Sequence, residues 1–81
     1  MRISTFRKEQ KITFVKQNES LIREIYENNL GHNSALFVSL CKMAKERQVY
    51  SPITVNIQIY TNLKHICEKD IGWKFNQKTR L

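Results

Sequence analysis

Residues 51–67 read SPITVNIQIYTNLKHIC, and two periodicities compete within them. Taken two at a time, Ile53, Val55, Ile57 and Ile59 alternate with Thr54, Asn56 and Gln58. That alternation is the mark of a half-buried strand, and β-branched side chains favour one. Taken three and four at a time, Ile53, Ile57, Tyr60, Leu63, Ile66 and Cys67 recur on one side of a helix. Ser51 then serves as cap, and Pro52 falls in the first turn, where its missing N–H is tolerated. We read a helix from 52 to about 69, ended by Gly72, while a strand over 53–60 stays open on these residues alone. With the helix, the chain is mainly α.

Upstream, Asn33 or Ser34 caps a helix that runs to about Gln48. Phe37, Leu40, Cys41 and Ala44 follow i, i+3, i+4, i+7, and Leu36, Val38 and Met43 widen the apolar face beyond one stripe. A face so broad on so short a chain predicts burial from two directions, hence a homodimer joined through Leu36, Phe37, Leu40 and Cys41. Before it, Asn18 supplies an N-cap for a helix whose stripe is Leu21, Ile22, Ile25 and Tyr26, with Gly31 as its stop after Leu30. Before that again, Lys11-Ile-Thr-Phe-Val puts Ile12 and Phe14 on one side of an extended chain, which predicts a short strand over about 11–16. The expected fold is mainly α, a short N-terminal strand followed by three helices in one compact, dimeric domain. Its parts are a basic arm and strand (1–17), a helical core (18–72) and a basic tail (73–81).

With 81 residues, the chain is one small domain, and 41% hydrophobic residues are enough for a core. A chain this short buries only about 60% of its unfolded surface, which makes a partner subunit useful. The longest apolar run, Ala35–Val38, is far below the ~20 residues of a membrane helix. MRISTFRKEQ has no apolar stretch behind its cations, so no secretory signal is expected, and two cysteines make no disulfide framework. A cytoplasmic setting is the expectation.

Chemistry-bearing constellations are sparse. Cys41, Cys67, His32 and His65 lack the C-x₂₋₄-C or H-x₃₋₅-H spacing of a zinc site, and both cysteines fall on apolar faces, so no metal is expected. Gly31 and Gly72 are the only glycines, which excludes a glycine-rich phosphate loop. Glu24 and Glu27 read as a solvated face, and Asp70 as a charge at a helix end. Neither an enzyme nor a cofactor is expected.

Charge is the stronger signal. Fourteen Lys+Arg against seven Asp+Glu leave +7, unevenly spread. Residues 1–16 carry Arg2, Arg7, Lys8, Lys11 and Lys16 against Glu9 alone, whereas residues 17–30 carry three glutamates against Arg23. The tail WKFNQKTRL holds Lys74, Lys78 and Arg80 and no acid. Clustered cations of this kind neutralise phosphates, so duplex DNA or another polyanion is the expected partner. Trp73 and Phe75 either stack on bases or tuck back onto the core, and the second is preferred, because base stacking uses an ordered platform of several aromatics.

Lys11–Lys16, Asn18–Leu30, Gly31 and Asn33–Gln48 make a strand, helix, turn and helix, an order that resembles the ribbon-helix-helix repressors. The segment GHNSALFVSLCKMAKERQ is similar to that family's glycine, polar caps and paired apolar residues. The resemblance implies a dimeric transcriptional regulator of phage or plasmid type. Lys11, Thr13 and Val15 would then enter the major groove, and the amides near Asn33 and Ser34 would take a phosphate. With Arg7, Lys8, Lys16, Lys74, Lys78 and Arg80 these make the expected nucleic-acid contacts. From Asn33 on, two amphipathic helices followed by NLKHICEKDIGWKF also look somewhat like small basic bacteriocin immunity proteins, which are antiparallel helical bundles. That resemblance, or a small basic inhibitor, implies instead a non-enzymatic module for an acidic protein target.

Overall fold

The computed structural model describes residues 3–77. Among them it contains four α-helices, a π-helical segment and no strand. Helix α1 spans Ile3–Gln17, α2 Glu19–Glu27, α3 Ala35–Glu46 and α4 Asn56–His65, and α4 continues into the π segment Ile66–Ile71. α1 packs on α2 and on the π segment, and α3 lies between α2 and α4.

The expected strand over 11–16 is not formed, because those residues lie inside α1. Phe14 and Val15, adjacent in sequence, are both buried. On a strand they would face opposite ways; on a helix they share one face with Lys11 and Asn18 at i, i+3/i+4, i+7. That face is cationic in its first half. Lys8 is paired to Asp70 on the π segment at 3.0 Å, and the Lys11 ammonium sits 4.8 Å from the centre of the Tyr50 ring. Long cationic side chains bury their stems while their heads stay wet, so an inward face can carry lysines that a hydropathy pattern counts as outward.

Asn18 separates α1 from α2 but does not cap α2 through its side chain. Its Nδ2 donates instead to the Phe14 carbonyl at 2.8 Å, closing the end of α1. In α2, Ile22, Ile25 and Tyr26 are buried as the stripe predicts. The stop comes at Asn29, in the left-handed region with φ 56°, before Gly31 is reached. Asparagine tolerates that conformation better than most residues.

Ser34 caps α3, its Oγ accepting from the Phe37 N–H at 3.3 Å. Phe37, Leu40, Cys41 and Ala44 are buried within one chain. Leu36 and Val38 remain exposed. Because Phe37, Leu40 and Cys41 are already buried in the core of one chain, where α3 packs on α2 and α4, the burial argument for a homodimer through this helix falls away.

Ser51 and Pro52 form a turn, closed by Thr54 N–H donating to the Ser51 carbonyl at 3.0 Å, and the helix begins only at Asn56. From there the helical reading of this segment holds. Ile59, Leu63, Ile66 and Cys67 are buried, and Gly72 at φ 84° ends the element. Ile53, placed on the buried face by the sequence reading, is 89% exposed because it precedes the helix. Trp73 and Phe75 then fold back onto α2, with Phe75 5.1 Å from the Tyr26 ring. Arg23 holds this strap: its guanidinium lies 4.9 Å from the Trp73 ring and donates to the Lys74 carbonyl. Gln77 Nε2 adds a bond to the Tyr26 carbonyl at 3.1 Å.

Candidate polyanion-binding cleft

Arg7 and Lys11 are four residues apart on α1 and therefore share a face. Across from them, Gln58, Thr61, Asn62 and His65 recur on α4 at i, i+3, i+4, i+7, a polar stripe with no acid in it. The two stripes and the Val49–Thr54 segment enclose an open cleft of about 490 Å³. No carboxylate lines it. Asp70 borders the adjoining hollow, where Lys8 engages it, and Glu46 borders another, beside Lys45 and Arg7.

The electrostatics of this cleft are one-sided. Among the described residues, neither Arg7 nor Lys11 has a carboxylate at ion-pair distance. Partial burial pushes the Lys11 ammonium below its ordinary value, and the neighbouring Arg7 charge pushes it the same way. Tyr50 forms the floor, and burial raises its hydroxyl well above the usual phenol range. Its hydroxyl therefore stays protonated and donates to Asn62 Oδ1. That leaves the Asn62 Nδ2 hydrogens to donate elsewhere. Two cations, an amide donor and an imidazole so arranged can hold an anion.

Of the residues expected to meet nucleic acid, the structure brings Arg7 and Lys11 together at this cleft, and Lys8 lines the adjoining hollow, where it is paired to Asp70. Thr13 is exposed on α1 but borders a separate groove with Phe14, Gln17 and Arg47. Lys16 is exposed in the last turn of α1. Asn33 and Ser34 stand at the start of α3, and the Ser34 side chain is occupied by its own cap bond. Lys74 lies on the strap over α2, and Lys78 and Arg80 fall outside the described residues. Val15, expected in a groove, is fully buried. The facing wall, Gln58, Thr61, Asn62 and His65 with Tyr50 at the floor, holds no Lys, Arg or acid, so charge counting misses it. Its signal was the i, i+3, i+4, i+7 polar stripe opposite the apolar one.

Cys41 and Cys67 are free and buried, and burial raises both thiols, Cys67 to about 12. No group of three or more His, Cys, Asp or Glu among the described residues could hold a metal ion. No helix among them is long and apolar enough to cross a membrane. Compared with family models, curated proteins and solved structures, the chain matches none.

Proposed function

We propose that this chain is a non-enzymatic binding module for a polyanion, nucleic acid before others, acting in the cytoplasm and contacting phosphate through α1 rather than through a strand. One observation carries the reading: Arg7 and Lys11 face an acid-free polar cleft with no carboxylate of their own. Lys11 is half-buried without a counter-charge, which is costly, and an incoming phosphate would supply one, with the exposed Arg7 beside it. The excess of +7 supports the same partner class. A regulatory role on DNA belongs to this proposal.

A gel-shift series with duplex and single-stranded DNA at two salt concentrations tests it. Each phosphate contact contributes about −0.9 to the slope of log affinity against log salt on duplex. Arg7→Gln is expected to lower both affinity and slope across all sequences. No binding to any nucleic acid at low salt overturns the proposal.

That outcome would favour a second reading, a module for a protein target. Its support is the exposed aliphatic run Ile53, Val55 and Ile57, at 89%, 58% and 48% exposure. Exposed apolar residues in one place are characteristic of interaction surfaces. The helical continuation through residues 56–71 also suits the helical-bundle resemblance to immunity proteins.

A further inference from the structure

The α1–α4 cleft is concave, and that bears on which phosphate fits it. A duplex offers its phosphates along a convex rail, where each is met by cations on a surface. Here Arg7 and Lys11 stand on one wall, Asn62 and His65 on the other, and Tyr50 between them. The volume, about 490 Å³, falls in the roughly 300–1,000 Å³ range of sites for small organic ligands. Two cations match the −1.5 to −2 charge, approximately, of a phosphate monoester at neutral pH better than the single charge of a diester. Such a terminal phosphate also has three free oxygens, enough to meet a guanidinium, an ammonium and an amide together.

We propose that the cleft between α1 and α4 seats one phosphate monoester, held by Arg7, Lys11 and the Asn62 amide, with its organic group lying toward Thr54 and Gln58. The inference rests on the polyanion reading and narrows it to a terminal phosphate. The chemistry has two sources, a free nucleotide or the 5′-phosphorylated end of a nucleic-acid strand. The neutral polar lining of Ser51, Thr54 and Gln58 offers donors and acceptors to either.

The test is a titration of the full chain with adenosine monophosphate, adenosine, and one single-stranded decamer carrying either a 5′-phosphate or a 5′-hydroxyl. Arg7→Gln and Lys11→Met are compared with Lys42→Gln, which changes an exposed cation on α3 away from the cleft. The expected result is a preference for the phosphorylated form of about tenfold or more, lost in the two cleft variants and kept in Lys42→Gln. Preference in the nucleotide pair alone assigns the site to a free nucleotide; preference in the decamer pair assigns it to a strand end. Equal affinity within both pairs overturns the inference, while decamer binding by itself leaves the polyanion reading standing. A preference that survives both cleft variants overturns the inference as well. If neither pair binds, the inference falls, while the duplex gel-shift series decides the polyanion reading separately. Should a variant fail to fold, amide-shift mapping of the unaltered protein with adenosine monophosphate decides: shifts at Tyr50, Asn62 and His65 support the site, and shifts confined elsewhere overturn it.

Discussion

Gly72 occupies the left-handed region at φ 84°, where it ends the π segment and turns the chain toward the strap. The Trp73 N–H there donates to the Cys67 carbonyl at 2.8 Å. A side chain at residue 72 would meet nothing within 4 Å, so the demand on this position is conformational rather than steric. Gly31 is its counterpart with the opposite demand: it has open space around it and a backbone any residue can adopt. Gly72→Ala is therefore expected to cost about 1 kcal/mol. Gly31→Ala should be neutral or stabilise by up to about 1 kcal/mol, because alanine restricts the unfolded chain. Urea titrations of the two variants check this pair. Equal losses in both would mean that the left-handed turn at Gly72 is not formed.

At the scale of the element, α1 is where the chain departs most from its pattern. Thr13 lies in the interior of this helix with its side chain exposed. Proline there removes a helical N–H and clashes with the preceding turn, so Thr13→Pro should destabilise the protein by about 3 kcal/mol or more. On an exposed edge strand the same change is tolerated. A loss below about 1 kcal/mol in chemical denaturation would return residues 11–16 to a strand. The faces of α2 and α3 were legible because their inward residues are apolar and their spacing unbroken. The inward face of α1 was not, because Lys8 and Lys11 occupy two of its positions and, among the residues whose burial is described, Phe14 and Val15 are its buried ones. The start of α4 was misplaced for a different reason. Ser51-Pro52 has the composition of a helix start, but here it closes a turn, which leaves Ile53 and Val55 in water. Half of the candidate site was legible likewise. Arg7 and Lys11 stand out by charge, whereas the wall opposite holds no Lys, Arg or acid and becomes a site only when the fold sets it across from them.

Across the whole molecule, the core is apolar except for phenols and thiols. Tyr26 donates to the Tyr60 carbonyl at 2.7 Å, Tyr60 to the Leu30 carbonyl at 3.0 Å, and Tyr50 to Asn62. These three hydroxyls tie α2, the α2–α3 loop, α4 and the cleft floor to one another. Burial raises all three phenols and both thiols, Cys67 to about 12. A raised value means that the folded chain holds protons which the unfolded chain releases sooner. The resulting stability is complete below the unfolded values, roughly 8.5 for cysteine and 10 for tyrosine, and is lost as pH climbs through the folded ones. Lys11, whose value is lowered, works in the opposite sense, but it is one group against five. Alkali also titrates the lysines and reduces the charge of +7, which relieves self-repulsion and would by itself stabilise the fold. A fall in stability that begins at about pH 8.5, before the lysines titrate, is then assigned to the buried thiols and phenols, and loss of the Lys8–Asp70 pair adds to it above about pH 10. Urea midpoints are expected to hold steady from pH 6.5 to 8 and to drop progressively between about pH 9 and 12. Tyr50→Phe removes one of the titrating groups and leaves Asn62 without that donor. It should lower the unfolding free energy at neutral pH by the order of 1 kcal/mol and make the alkaline decline shallower. A midpoint that stays level to pH 10.5 in the unaltered protein would show that these hydroxyls and thiols are not held in the core.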